Sequence, residues 1–268
     1  MSVLDRVRRR RRPIAERHRS SSTREFHSEQ RVTLVTESGL HTGPSFVLVH
    51  GIGMGHRYWS GLSQILEKVG RVYALDLPGF GDAPEPARPL DMVASGELLA
   101  ELVERWRIER PVLVGHSMGT QIVAEAAARH PELFDTVVLI APTVNPAERT
   151  VPKQAMRLVQ DLSTTHPRVL WMGARYYVKA GPRWYIEKLG SMMNHRVEAT
   201  LPRVQARTLV IRGAKDPVCP HDWAVRVATI MPHAHLAEVP GRGHETMITG
   251  YRRVGELILK HVRAGSHR

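Results

Sequence analysis

Short apolar runs recur along the chain and alternate with stretches of helical periodicity. The clearest runs predict buried strands at Phe46–Val49, Val72–Leu75, Val112–Val114, Val137–Ile140 and Thr208–Arg212. Two further strands are predicted at Arg31–Thr36 and at about His235–Val239. Between them, apolar residues three and four positions apart predict helices, one of which follows Asp91 as a capping residue. Strands that alternate with helices predict an α/β fold, a mostly parallel central sheet with helices on both faces.

The alternation stops between Thr143 and Arg203, where the pattern predicts helices and no strand. We therefore divide the chain into a basic tail (1–27), a first core part (28–142), a helical cap insertion (143–203) and a second core part (204–268). The cap carries aromatic and methionine side chains suited either to its own core or to an apolar pocket. They are Met156, Trp171, Met172, Tyr176, Trp184, Tyr185, Met192 and Met193. Trp171 and Trp184 are our candidates for substrate contact.

Composition adds constraints to this division. A chain of 268 residues that is 42% apolar can bury one α/β core with an insertion, or two small domains, and the pattern favours the former. No run approaches 18 apolar residues, so we expect a soluble, cytoplasmic protein without a spanning helix. The single Cys219 lacks Cys or His partners at ligand spacing and is a packed side chain rather than a second nucleophile, and we expect neither metal nor cofactor.

The positive charge is unevenly distributed. Residues 1–25 carry nine arginines against three acidic residues, a net +6 that is half of the total +12. This tail has too few apolar residues to fold alone, so we expect disorder. It is either merely solvated or a weak contact for an anionic membrane or nucleic acid. No apolar h-region follows the arginines, which argues against a secretory or twin-arginine signal.

The pattern G-x-S-x-G at Gly115–Gly119 lies between a predicted strand and a predicted helix. The pattern alone is short enough to arise by chance, but the Val-Leu-Val run before it and the helical pattern after it favour a nucleophile turn. Ser117 would lie at the apex of the turn, where its hydroxyl is clear of the sheet. The N–H of Met118 would point from a helix N-terminus toward an oxygen bound to the serine.

Two later loops supply an acid and a base. Asp216 follows the predicted strand Thr208–Arg212, and His244 follows the next predicted strand, at the sheet end where catalytic groups gather. Asp82 and Asp161 are alternative acids, but neither follows a late strand. The chain has fifteen histidines, and the simplest interpretation of four others is a surface or capping role: His116, His130, His195 and His261.

Three glycines within the loop His50–Gly55 allow close approach of the backbone to a ligand. The loop could bind an anion through its N–H groups. The alternative is a dinucleotide fingerprint, but the spacing G-x-G-x-G does not match it.

The order Ser117, Asp216, His244, together with His50-Gly51, the turn Asp76–Gly81 and Gly243-His244, resembles the α/β-hydrolase superfamily from about Arg31 to Val262. The resemblance implies that Ser117 is the nucleophile, His244 the general base and Asp216 the acid that orients it. It further implies an oxyanion hole formed by the N–H groups of Ile52 and Met118. Our candidates for substrate contact around this site are Gly51, Gly53 and His116.

The resemblance leaves three functions open. Hydrolysis of a small or medium apolar carboxylic ester is the default for a serine nucleophile. The loop that runs from His50 to Trp59 resembles carbon-carbon bond hydrolases of ring-cleavage diketo acids, but Met54 and Glu245 replace the proline and tryptophan usual there. The third is a binding protein that has kept the fold without turnover, against which the complete triad argues. The sequence does not fix the oligomeric state.

Overall fold

A computed structural model describes residues 21–162 and 182–265 of the protein. It contains one eight-stranded sheet with the order β1-β2-β4-β3-β5-β6-β7-β8. The strands are β1 (Ser22–Ser28), β2 (Arg31–Gly39), β3 (Ser45–Val49), β4 (Arg71–Asp76), β5 (Val112–His116), β6 (Thr136–Ile140), β7 (Arg207–Gly213) and β8 (Ala234–Val239). From β4 to β8 all neighbours are parallel, whereas β1 and β2 join antiparallel at one edge. The predicted α/β class is confirmed.

The sequence predicts a disordered tail up to residue 27, but strand β1 already begins at Ser22, so the predicted tail is too long. Ser22–Ser28 pairs along its whole length with β2, and Phe26 is buried with its ring 6.0 Å from Trp106 in an edge-on contact. Arg24 lies 4.3 Å above the Trp106 ring and pairs with Glu37 at 2.9 Å. One aromatic contact and one ion pair thus order a segment whose composition is polar. Residues 1–20 lie outside the described residues.

The helices cover the sheet in the predicted order. They are α1 (Ser60–Leu66), α2 (Met92–Arg105), α3 (Met118–Arg129), α4 (Val151–Leu162), α5 (Pro182–Asn194), α6 (Val197–Thr200), α7 (His221–Ile230), α8 (Thr246–Thr249) and α9 (Tyr251–Gly265), with short 3-10 turns at His56–Trp59, Pro146–Glu148 and Leu201–Arg203. The Asp91 side chain caps α2 by accepting a hydrogen bond from Ala94 N at 2.7 Å, as predicted. The sequence pattern also predicts that His244 opens the final helix. This prediction is wrong, because the loop after His244 first forms α8 and the chain breaks again at Gly250 before α9.

The described part of residues 143–203 is mainly helical. The sequence also predicts an apolar helical stripe formed by Leu170, Ala174, Tyr177 and Val178, which lies outside the described residues. Met192 and Met193, at the end of α5, are each 6% exposed and belong to the main hydrophobic core. These two methionines therefore pack against the core. No helix within residues 21–162 and 182–265 combines the length and the apolar character that crossing a bilayer requires.

Candidate active site

Ser117 occupies the sharp turn between β5 and α3. Its backbone is at φ 51° and ψ −118°, in a region that L-residues with a side chain seldom adopt. The turn is held by hydrogen bonds from Ser117 N to Ile140 O at 3.0 Å and from Thr120 N to Ser117 O at 2.9 Å. The side chain of Ser117 is almost buried, at the start of a helix whose first N–H groups have no earlier carbonyl to bond.

The two glycines of the pattern are required by packing. A Cβ atom on Gly115 would lie 2.4 Å from Gly119 O, and one on Gly119 would lie 2.3 Å from Val49 O. Both distances are far below contact, so a larger residue would push α3 away from β5 and β3. The close approach holds the first turn of α3 against the end of the strand that leads into His50 and Gly51.

Asp216 and His244 meet at the same edge of the sheet. His244 Nδ1 lies 2.9 Å from Asp216 Oδ2, and the other carboxylate oxygen accepts hydrogen bonds from Val218 N at 2.8 Å and Cys219 N at 2.9 Å. The Asp216 side chain is fully buried, and His244 is 13% exposed. Because a carboxylate only accepts, Nδ1 carries the proton and the lone pair of His244 is left on Nε2.

A buried arginine, which the sequence analysis did not single out, supports the Asp216 loop. Arg212 Nε donates to Cys219 O at 3.0 Å, its Nη2 lies 3.2 Å from Asp216 O, and its Nη1 pairs with Glu238. Cys219 is fully buried, and burial and the adjacent carboxylate of Asp216 raise the pKa of its thiol well above the usual value. The thiol is therefore a packed group, as expected.

His50 fixes the conformation of the loop His50–Gly55, which we call the glycine loop. Its Nδ1 donates to Gly51 O at 2.7 Å, and its Nε2 accepts from Leu77 N at 3.2 Å. Both ring nitrogens are thus used, and burial lowers the pKa of His50. Gly53 has φ 70°, a left-handed conformation that favours glycine. Within the described ranges we find no group that accepts a hydrogen bond from Ile52 N–H.

Of the four histidines with a predicted surface or capping role, His130 caps the C-terminus of α3, whereas two others are buried. His116 is 3% and His261 6% exposed, so for these two the prediction is wrong. Both ring nitrogens of His116 contact protein groups, the Tyr58 hydroxyl and His244 O, instead of facing a substrate. His130 and His195 lie 2.9 Å from Glu97 and 2.8 Å from Glu125, respectively. Trp171 lies outside the described residues, as do the side chains of Trp184 and Asp161.

Among the described residues, His56, Asp76 and Asp82 bring together three atoms that could bind a metal, all within 4.8 Å of one another. The Asp76 carboxylate, however, already accepts from His56 N at 2.5 Å, lies 2.8 Å from His56 Nδ1 and accepts from Asp82 N at 3.0 Å. Burial opposes its charged form, but the hydrogen bonds from His56 outweigh burial and lower the pKa of Asp76. We interpret this cluster as a set of hydrogen bonds that connects β4 to the glycine loop.

Sequence comparison with family models agrees with this geometry. A model described as the alpha/beta hydrolase fold matches residues 44–170, and a model described as TAP-like protein matches residues 180–267. The chain belongs to the α/β-hydrolase superfamily. The resemblance inferred from the sequence motifs is therefore confirmed.

Individual relatives in this superfamily match parts of the chain. Curated relatives at 32–35% identity cover 36–37% of this chain and only 22–38% of their own length. One of them is the pimeloyl-acyl-carrier-protein methyl ester esterase of Aeromonas hydrophila, 35% identical over 99 residues, which are 37% of this chain and 38% of the esterase.

Solved structures show the same fold over nearly the whole chain. A bacterial membrane phospholipase A is 23% identical, with a TM-score of 0.78 over 91% of this chain and 86% of the phospholipase. The 2-hydroxy-6-oxo-6-phenylhexa-2,4-dienoate hydrolase of Rhodococcus sp. strain RHA1 is 22% identical, with a TM-score of 0.74 over 91% of this chain and 99% of that enzyme. At these identities the likeness describes the fold and leaves the substrate open.

Proposed function

We propose that the protein is a serine hydrolase that cleaves a small or medium apolar carboxylic ester through an acyl-enzyme. Ser117 is the nucleophile, His244 the general base and Asp216 the orienting acid. The observation that carries the proposal is the buried Asp216–His244 hydrogen bond of 2.9 Å. The strained turn of Ser117 lies beside it, because the preceding residue, His116, contacts His244 O at 3.0 Å.

The chemistry follows from the protonation states. With Nδ1–H bonded to Asp216, His244 Nε2 has the lone pair that takes the Ser117 proton as Oγ attacks the ester carbonyl carbon. The same imidazolium returns that proton to the alkoxide of the leaving alcohol as the carbon-oxygen bond breaks. A water molecule then repeats the sequence on the acyl-enzyme, giving the free acid and Ser117. The buried carboxylate of Asp216 stabilises the imidazolium in both steps.

The N–H groups of Ile52 and Met118 are the proposed oxyanion hole. Two features support this role: the Met118 N–H belongs to the first turn of α3, and His50 fixes the carbonyl of Gly51 next to Ile52. Gly51 and Gly53 line the same loop and remain our candidates for contact with the substrate. Removing one oxyanion donor typically costs about a hundredfold or more in kcat.

The substrate class rests on residues 143–203, which we propose act as a cap over the site. The triad and the glycine loop provide the reaction chemistry common to the superfamily. Specificity must therefore come from the side chains that contact the acyl or alcohol group. The relative from Aeromonas hydrophila, which is named as a methyl ester esterase, supports an ester substrate. Trp171 and Trp184 remain proposed contacts, whereas Met192 and Met193 are core residues and drop out of this role.

The catalytic proposal is tested by Ser117→Ala and His244→Ala. Each should lower kcat by roughly four to six orders of magnitude while the protein stays folded, because triad members act as a unit. Ser63→Ala, on α1, is the matched control. A fluorophosphonate probe should label the wild type at Ser117 and leave Ser117→Ala unlabelled. Absence of labelling in the folded wild type would instead favour a binding protein.

Substrate class is tested with p-nitrophenyl esters from acetate to hexanoate, run beside a ring-cleavage diketo acid. Each buried methylene should contribute about 0.8 kcal/mol, or roughly fourfold in kcat/KM, until the pocket is full. Trp171→Ala and Trp184→Ala should flatten this series and leave the acetate rate nearly intact. Faster turnover of the diketo acid than of every ester would replace ester hydrolysis by carbon-carbon bond cleavage.

A further inference from the structure

The imidazole of His116 lies where three parts of the proposed site meet. A Cβ atom on Gly51 would be 3.0 Å from His116 Nδ1 and 3.3 Å from Ser117 Cβ, so the ring forms the floor of the glycine loop beside the nucleophile. The centroid of the ring is 4.8 Å from that of His244, with 57° between the planes. Few side chains could touch the nucleophile turn, the glycine loop and the base at once.

The hydrogen bond to His244 O fixes the tautomer of the His116 ring. His116 Nε2 lies 3.0 Å from His244 O, and a carbonyl oxygen only accepts, so Nε2 carries the proton. Nδ1 is then the acceptor for the hydroxyl of Tyr58, which is 4% exposed. Burial and the neighbouring His244 lower the pKa of His116 well below its usual value, which agrees with a neutral ring.

We propose that Tyr58 and His116 are positioning residues that set the location of His244 relative to Ser117. Asp216 holds the imidazole of His244 at Nδ1, and His116 holds the backbone of the same residue at its carbonyl. Fixing both ends of His244 leaves Nε2 in one place with respect to the serine. The inference rests on the proposed function, because it concerns the placement of the proposed base.

The role of Tyr58 is to hold the ring of His116 in place. The carbonyl of His244 selects the Nε2–H tautomer, and the Tyr58 hydroxyl donates to the remaining acceptor, Nδ1. Without that hydroxyl the ring is fixed at one nitrogen only and can tilt, so the loop carrying His244 would shift relative to Ser117. No charge is added or removed beside His244, so the effect is one of position.

The experiment compares Tyr58→Phe, His116→Leu and His116→Gln with the wild type. Tyr58→Phe removes one hydrogen bond, and we expect kcat for p-nitrophenyl acetate and the rate of fluorophosphonate labelling to fall roughly tenfold. KM should change by less than about twofold, because a small ester makes no contact with Tyr58. His116→Leu should fall further, and His116→Gln, whose amide N–H can replace Nε2–H, should recover most of the loss.

Imidazole nitrogen NMR of histidine-labelled protein provides a readout independent of activity. The wild type should show His116 as the Nε2–H tautomer, and Tyr58→Phe should keep this tautomer but shift the Nδ1 resonance, because Nδ1 loses its hydrogen-bond donor. Tyr73→Phe, on β4, is the matched control and should change neither readout. Wild-type labelling rates in folded Tyr58→Phe and His116→Leu would overturn the inference and leave the serine mechanism standing. An unlabelled wild type would overturn the serine mechanism itself, and the NMR result would still decide whether the Tyr58 hydroxyl donates to His116 Nδ1.

Discussion

The side-chain amide of Gln121 donates a hydrogen bond to the carbonyl of Thr143 at 3.0 Å, and the same nitrogen donates to the carbonyl of Met192 at 3.1 Å. Gln121 lies in α3, only four residues after Ser117, and is fully buried. Thr143 begins the segment 143–203, and Met192 lies near the end of α5 within it. One amide on the serine helix therefore joins the start of this segment to the end of α5.

Gln121→Leu should destabilise the protein by about 2–6 kcal/mol, because two buried carbonyls lose their donor and each costs about 1–3 kcal/mol. The loss should be concentrated in the helical segment, so limited proteolysis should cleave within residues 143–203 before it cleaves the sheet. Gln64→Leu on the exposed face of α1 is the control and should leave both stability and cleavage unchanged. Equal protease resistance in Gln121→Leu and wild type would show that the two hydrogen bonds of the Gln121 amide are dispensable.

Ser117→Gly should stabilise the fold while abolishing activity. The positive φ of Ser117 costs about 1–3 kcal/mol for a residue with a side chain, whereas the added freedom of glycine in the unfolded chain costs about 0.5–1 kcal/mol. The net gain of about 1 kcal/mol corresponds to roughly 2–4 °C in Tm. Ser117→Ala keeps the strained backbone and should show no such rise, so calorimetry of the pair separates strain from loss of the hydroxyl.

The free energy of unfolding should fall at acidic pH because the buried carboxylate of Glu125 becomes protonated. Burial opposes the charged form of this carboxylate, but hydrogen bonds from His195, Thr200 and Arg129 outweigh burial and lower its pKa from 4.5 to about 2. A depressed carboxyl pKa contributes stability that is complete above pH 4.5 and is lost as the pH falls toward 2. Glu125→Gln should therefore have a lower Tm at pH 7, and its difference from wild type should shrink between pH 4.5 and 2.

The matched control for this pH effect is Glu97→Gln. Glu97 also pairs with Arg129 and lies 2.9 Å from His130, but its side chain is 47% exposed. An exposed ion pair contributes about 0–1 kcal/mol to stability. The Tm of Glu97→Gln should therefore stay close to that of the wild type at every pH. A Glu125→Gln curve parallel to that of the wild type would exclude Glu125 as the source of the acid sensitivity.

Deleting residues 2–20 should leave Tm nearly unchanged, because composition predicts that the arginine-rich tail contributes little apolar surface. Extending the deletion through β1 should lower Tm by several degrees, because it removes Phe26 from the core and a whole strand from β2. Salt-sensitive adhesion to anionic vesicles should disappear with the shorter deletion already. A large drop in Tm after the shorter deletion would mean that the tail packs on the folded protein.

The sequence predicts what depends on local periodicity and on short motifs. The strand and helix order, the cap of α2 at Asp91 and the positions of Ser117, Asp216 and His244 at sheet ends all follow from patterns within a few residues. The sequence does not predict contacts that need three dimensions. Nothing near Tyr58 indicates that its hydroxyl meets a ring 58 positions later, and nothing in the alanine-rich α3 indicates that Gln121 faces inward.

Strand β1 illustrates a second limit. Its composition is polar and charged, and only pairing with β2 and the Phe26–Trp106 contact make it a strand. Arg212 is a third case, because an arginine at the end of an apolar run is usually taken as the point where burial ends. Here its guanidinium turns inward and holds the loop of the proposed acid through Cys219 O and Asp216 O.

The contact between Gly119 and Val49 also constrains how the molecule can move. With only 2.3 Å between a hypothetical methyl group at Gly119 and the Val49 oxygen, helix α3 has no room to slide or roll on β3. The serine turn and the start of the glycine loop must therefore travel as one rigid body. Amide hydrogen exchange should accordingly be slow in both β3 and β5.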